Sequence, residues 1–214
     1  MELNDGHAAY RAALRRGDAR AALGVVDELI DSGAGFDEIC EEVLRPALYE
    51  IGELWERAEI GVADEHLAAA ISETVLACIG AISSAPVDAE PRVLVCCTDG
   101  EGHALGARMV GETFAAAEWS VQYLGPSVPP DAVAASVVAR GADVVALSTT
   151  MEANLPAVER TIAAVRAVAP DLRVVVGGQA YGGDVERAAA VGADAFLPSL
   201  RGLTEQVETL LAGG

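Results

Sequence analysis

The chain contains no lysine: all 14 of its basic residues are arginines. That absence excludes a pyridoxal Schiff base, a lysine nucleophile and the lysine of a phosphate-binding P-loop. Aromatic residues are scarce at 4% of 214, so a tryptophan in an unusual place carries information. Basic charge is scarce as well, and the net charge is −19 with an isoelectric point near 4.3. Such a surface repels phosphate backbones, so no direct nucleic-acid partner is expected. No apolar run is long enough to span a bilayer, and the Met1-Glu2-Leu3-Asn4-Asp5 start lacks the basic region of a signal peptide. The expectation is a soluble cytoplasmic protein with no membrane partner. Cys40, Cys78, Cys96 and Cys97 show no C-x-x-C spacing and read as reduced core residues, not zinc ligands.

Hydrophobic residues make up 52% of the chain, enough for a well-filled core. Residues 1–86 read as a four-helix bundle. Asp5 is the expected cap of a first helix through Arg16, and Asp18 of a second that runs to about Ser32. A third helix carries Ile39, Val43, Leu44, Leu48, Ile51 and Trp55 at steps of three and four, with Pro46 predicting a kink near Leu44. A fourth carries Leu67, Ile71, Val75, Cys78 and Ile82. His7 falls where the first helix is expected to fray and is assigned no role. Residues 84–91 form a proline-containing linker.

Residues 90–214 alternate strand and helix. Strands are predicted at 92–97, 120–124, 143–148, 173–177 and 194–197, and helices at 104–117, 130–140, 155–168, 184–190 and 200–211. The predicted fold is α/β: a helical bundle followed by a doubly wound, five-stranded parallel sheet of Rossmann-like form. Ligands of such sheets lie at the carboxyl ends of the strands. Those ends lead to Asp99-Gly100-Glu101-Gly102-His103-Ala104-Leu105-Gly106, to Tyr123-Leu124-Gly125-Pro126, to Ser148-Thr149-Thr150, and to Gly177-Gly178-Gln179. Any one of these glycine-rich corners could be only a turn; several on one edge point to a ligand.

Gly100, Gly102 and Gly106 are spaced one residue too widely for a dinucleotide fingerprint, and His103 would occupy the place of the pyrophosphate. His103 could serve as a general base, but no nucleophile or carboxylate pair stands out beside it. Its other use is as an axial ligand to a metal held mainly by something else.

Glu101-x-His103-x-x-Gly106, then Ser148-x-Thr150, then Gly177-Gly178, resembles the Asp-x-His-x-x-Gly pattern of cobalamin-binding domains in order and spacing. The resemblance implies that His103 is the axial ligand of cobalt in place of the cofactor's own base. The displaced nucleotide tail would then lie between Ser148 and Gly177-Gly178. Glutamate at 101, where aspartate is usual, is similar to the CarH-type (LitR-type) adenosylcobalamin photoreceptors. So is Trp55, nine residues, then Glu65-His66, as are the phrases 123–126 and 176–179.

That resemblance implies a site made of Trp55, Val62, Glu65 and His66 over the upper face of the corrin. Gly100 through Gly106, Leu124, Gly125, Ser148, Thr149, Thr150, Gly177, Gly178 and Gln179 would form the rest. It implies a non-enzymatic light sensor that holds adenosylcobalamin in the dark. Photolysis of the cobalt–carbon bond would then change its conformation, its homo-oligomeric state or its binding of a signalling partner. Trp55 could instead be ordinary bundle core, and Glu65 a simple partner of the helix dipole. Two departures from the family are expected to matter. The chain starts at the bundle with no helix-turn-helix DNA-binding segment, and Glu56 stands where the family has a second histidine. The rival readings are a corrinoid carrier of a methyltransferase system and a cobalamin storage protein.

Overall fold

A computed structural model describes residues 1–80 and 88–213. The chain divides into two compact units, Met1–Gly80 and Ala81–Gly214. Ile82 and residues 84–87 of the expected linker lie outside the described residues.

The first unit is helical throughout. Helix α1 spans Leu3–Arg15 and α2 spans Ala19–Asp31. A short α3, Phe36–Ile39, runs through a π turn at Cys40–Leu44 into α4, Arg45–Glu56, and α5 spans Val62–Ile79. Asp18 caps α2 as expected, its carboxylate accepting the Ala21 N–H at 3.0 Å. Asp5 is not the cap of α1: that helix begins two residues earlier, and Asp5 lies in its first turn, where a negative charge still meets the positive end of the dipole. The kink expected before Pro46 takes the form of the π turn. Pro46 has no N–H to return to the preceding turn, and the wider turn absorbs that loss.

The bundle core is Tyr10, Val26, Leu29, Ile39, Leu44, Ile51, Ile71 and Leu76 with their neighbours. The Tyr10 hydroxyl, buried, donates to Ser72 Oγ at 3.0 Å, and Ser72 donates in turn to the Ala68 carbonyl, so neither polar group is stranded. On α5 the buried stripe is Ala68, Ile71, Ser72, Val75 and Leu76. Leu67 and Cys78, expected on it, are exposed. Alanines at 68–70 leave the helix's apolar face ambiguous in sequence, and the stripe settles one position round from the expected one. His7 is not frayed: it lies within α1 with Nε2 3.2 Å from Glu50, which also pairs with Arg11.

The second unit is a parallel sheet of five strands in the order β2-β1-β3-β4-β5. The strands are β1 Arg92–Thr98, β2 Ser120–Val128, β3 Val144–Ser148, β4 Arg173–Gly177 and β5 Ala195–Phe196. The crossover helices are α6 Leu105–Ala116, α7 Pro130–Arg140, α8 Leu155–Val168 and α9 Val185–Ala190, and α10 Leu203–Ala212 closes the unit. Leu94, Cys96, Val145, Leu147, Val174 and Val176 on one face pack with Val137, Ile162, Val165 and Ala188 from α7, α8 and α9. Cys96 sits in that cluster, whereas its neighbour Cys97 reaches the His103 carbonyl from the opposite face, as strand alternation requires.

β2 is longer than predicted. Gly125-Pro126 reads as a turn, yet the strand continues through it to Val128. Two features permit this. β2 is an edge strand, where a missing proline N–H costs no ladder bond, and its pairing to β1 shifts register on both sides of Cys96. The strand order reverses between β1 and β3, which places the crevice of the sheet beside the loops that follow those two strands.

Candidate functional site

His103 stands in the loop between β1 and α6, with its side chain 59% exposed. Glu101, in the same loop, is fully buried. Its Oε1 accepts the His103 backbone N–H at 3.0 Å and lies 2.5 Å from His103 Nδ1. Its Oε2 accepts from the Thr150 and Met151 backbone N–H groups, both at 2.9 Å, and from Asn154 Nδ2 at 3.0 Å. Burial pushes the Glu101 carboxyl up. The Met151 and His103 N–H groups, the imidazole and the Asn154 amide outweigh it and hold the carboxyl at about 2. An ionised Glu101 holds a proton on Nδ1 and leaves the Nε2 lone pair facing outward.

The loop is fixed elsewhere too. Gly100 has φ +81°, and its N–H donates to Ser127 Oγ at 3.0 Å. Ser127, itself at φ +49°, donates its N–H to the Glu101 carbonyl at 2.9 Å. Cys97 Sγ lies 3.6 Å from the His103 carbonyl. Burial, with the Glu101 charge adding to it, pushes the Cys97 thiol up to about 12.

The loops after β3 and β4 meet this one at the sheet edge. Ser148 pairs with Cys97 across the β1–β3 ladder and with Gly177 across the β3–β4 ladder. Thr149 is buried, its hydroxyl 3.3 Å from that of Thr98, and its N–H donates to the Gly177 carbonyl at 3.0 Å. Gly178 has φ +110°, and a Cβ there would run into the Thr149 backbone. A Cβ on Gly177 would fall 2.9 Å from the Leu197 carbonyl oxygen. The glycine pair is thus demanded by the fold itself, before any ligand is considered. Gln179 opens a 3-10 turn to Tyr181 and is exposed. Leu124 and Gly125 lie within β2, and Ala104, Leu105 and Gly106 form the start of α6.

Trp55, Val62, Glu65 and His66 belong to the first unit. Trp55 lies in the last turn of α4 and is 47% exposed, so it is not bundle core. Val62 opens α5 at 53% exposed, Glu65 lies in its first turn and His66 follows it, with the imidazole 3.6 Å from the carboxylate. Asn154, Ser127 and Met151, which hold the His103 loop, are absent from the sequence-based site. Asn154, six residues after Ser148, and Ser127, two residues after Gly125, have polar side chains that could have drawn attention there; Met151 acts through its backbone N–H.

Two family models, each described as a B12 binding domain, match this chain, one over residues 91–201, about half of it, and the other over residues 7–79. The chain belongs to the B12 binding domain family.

Two relatives of this chain are the HTH-type transcriptional repressors CarH and CarA of Myxococcus xanthus. CarH is 32% identical and CarA 37% identical over 142 residues, in each case 65% of this chain and 46% of the relative. The chain therefore spans about half the length of the relatives it matches. Among solved structures, the monomethylamine corrinoid protein of Methanosarcina barkeri has the same fold, with a TM-score of 0.80 at 15% identity over 100% of both chains.

The residues present fit a corrinoid. A lone imidazole with an outward Nε2 suits a metal whose other in-plane ligands come from a macrocycle. Among the described residues no cluster of three His, Cys, Asp or Glu could hold a metal without one. Gly106 leaves open the space that a Cβ would fill 3.6 Å from Ser148 Oγ. The Tyr181 hydroxyl, buried beside Thr149, has no well-formed hydrogen bond among the described residues. No helix of the described residues is long and apolar enough to cross a membrane.

Proposed function

We propose that the chain is a light sensor that holds adenosylcobalamin in the dark, with His103 as the axial ligand of cobalt. One observation carries the ligand assignment: a buried, ionised Glu101 occupies the imidazole's Nδ1 and leaves Nε2 available at the mouth of the sheet crevice. Ser148, Thr150, Gly106 and the Gly177-Gly178 pair would receive the nucleotide tail. Trp55, Val62, Glu65 and His66 would cover the upper face, and the exposure of Trp55 supports that use because burial in the bundle does not account for it. When bound, adenosylcobalamin supplies a photolabile cobalt–carbon bond and an adenosyl group that light removes. The residues that met the adenosyl group would then lose a contact made in one state only. Such a difference shifts conformation, self-association or partner binding. Similarity to CarH and CarA supports a signalling role over a catalytic one.

The test is to load the chain with adenosylcobalamin in darkness and record absorbance and solution mass before and after illumination, in air and without oxygen. Both should change on illumination; identical spectra and masses would sink the proposal. A second reading, a corrinoid carrier for methyl transfer, is favoured by the likeness to the monomethylamine corrinoid protein. A carrier would bind methylcobalamin at least as tightly as adenosylcobalamin, whereas the sensor prefers the adenosyl form.

A further inference from the structure

Glu101 fixes the imidazole and the N-terminal side of His103; a different set of residues fixes the side that follows. Glu112, on α6, is a carboxylate only 1% exposed. A buried charge of that kind needs a partner, and Arg108, one turn back on the same helix, supplies it with Nε 2.5 Å from Glu112 Oε1. Held there, the Arg108 guanidinium lies over the face of Tyr123, 5.7 Å from the ring centroid. Tyr123 is on β2, opposite Val95 and next to a register shift, and its hydroxyl donates to the Ala104 carbonyl at 3.3 Å. That carbonyl belongs to the residue after His103 and also accepts the Arg108 N–H at 2.9 Å, the first bond of α6.

We infer that Glu112, Arg108 and Tyr123 form a strut that positions the His103–Ala104 segment, and so the imidazole, for its axial bond to cobalt. This rests on the assignment of His103 as the ligand. The physical argument concerns freedom of rotation. Glu101, with Cys97 on the His103 carbonyl, would leave the Ala104–Leu105 peptide to follow whatever motion the start of α6 allows. A donor on the Ala104 carbonyl ties that peptide to the sheet, and the stacked arginine holds the phenol in the direction that makes the bond. All three side chains act through the Ala104 peptide, so they are positioning residues, not ligands.

The test uses the full chain and aquacobinamide, the corrinoid that lacks a nucleotide tail, so that ligation by the protein is read without the tail groove. Wild type, Tyr123→Phe, Glu112→Gln and His103→Ala are titrated and the visible spectrum is followed to saturation. Wild type should show histidine-ligated corrinoid and His103→Ala none. Tyr123→Phe keeps the ring, and should raise the Kd about three- to tenfold and leave part of the saturated corrinoid without histidine ligation, while the melting transition stays in place. Glu112→Gln, which removes the charge that anchors Arg108, should move the spectrum the same way. A Tyr123→Phe spectrum and Kd equal to wild type would overturn the strut and leave the ligand assignment standing. Loss of ligation only together with a collapsed melting transition would make Tyr123 structural, and would also overturn it. Identical spectra for wild type and His103→Ala would overturn the ligand assignment and the strut with it.

Discussion

Asn154 Nδ2 donates to Glu101 Oε2 at 3.0 Å and lies 3.4 Å from the Gly100 carbonyl, so a side chain from the loop after β3 holds both the orienting carboxylate and the backbone beside it. Glu101 thereby joins the β1 and β3 loops as well as aiming His103. Among the described residues, the contacts on its two oxygens all come from donors: three N–H groups of the backbone, one amide and one imidazole nitrogen.

Glu101→Gln should therefore be costly even without cofactor. An amide in that position turns its own N–H groups toward other donors, whichever way it is flipped, and leaves at least one of them unpaired. The expected loss of unfolding free energy is about 2–4 kcal/mol, read by urea denaturation of the apo protein. A loss below about 0.5 kcal/mol would mean that the carboxylate is not the anchor of the two loops.

Acid should act through the same group. Glu101 is held at about 2 against an ordinary 4.5, so the native state binds its proton less readily than the unfolded chain does. Its contribution to stability is complete above pH 4.5 and is lost as the pH falls from 4.5 toward 2. Urea midpoints measured down this range should fall more steeply for wild type than for Glu101→Gln, and the two curves should converge. Parallel curves would contradict the assignment.

Thiol reactivity should separate the four cysteines. Cys40, Cys96 and Cys97 are buried, and burial pushes the Cys96 and Cys97 thiols up to about 12, whereas Cys78 is exposed on α5. Ellman's reagent at pH 8 should find one fast thiol in the native protein and all of them in denaturant. Cys78→Ser should remove the fast phase. A second fast thiol would show that one of the buried three is accessible.

The glycines of the site should divide by physical cause. Gly178→Ala forces a side chain to φ +110° against the Thr149 backbone and should cost at least about 3 kcal/mol in the apo protein. Gly102→Ala meets nothing within 4 Å and should leave apo stability within about 1 kcal/mol of wild type. Weaker cobalamin binding by Gly102→Ala would then report the approach of the ligand to the loop and not damage to the fold. An apo stability loss for Gly102→Ala as large as that for Gly178→Ala would remove the distinction.

The sheet, its crossovers and the His103 loop were legible in the sequence because each rests on a local signal. β1, β3 and β4 are runs rich in valine and leucine buried on both faces, and the loop is a motif within eight residues. What could not be read depends on contacts between distant segments. The donors to Glu101 Oε2 come from residues 150–154, two of them backbone N–H groups that no side chain advertises. Ser127 and the second half of β2 were hidden by Gly125-Pro126, which signals a turn anywhere except on an edge strand with shifted register. In the bundle, alanine-rich α5 does not say which face is buried, so Leu67 and Cys78 were misplaced. Trp55 continues the apolar spacing of Ile51 and could have been core; only the fold shows it exposed.

That exposure makes Trp55 the test of which upper ligand the protein takes. A tryptophan packed into a bundle costs about 3–5 kcal/mol when cut to alanine, but one that is 47% exposed in the last turn of its helix should cost less than about 1.5. The melting transition of Trp55→Ala should therefore stay close to that of wild type. If the indole lies beside an adenosyl group, its removal should weaken adenosylcobalamin by about tenfold, equivalent to about 1.4 kcal/mol, and methylcobalamin by much less. The two Kd values measured in darkness decide it, because the methyl form is too small to use the same contact. Equal losses for both forms would place Trp55 against the corrin ring itself. No loss for either would take it out of the site and leave the adenosyl preference without a structural basis.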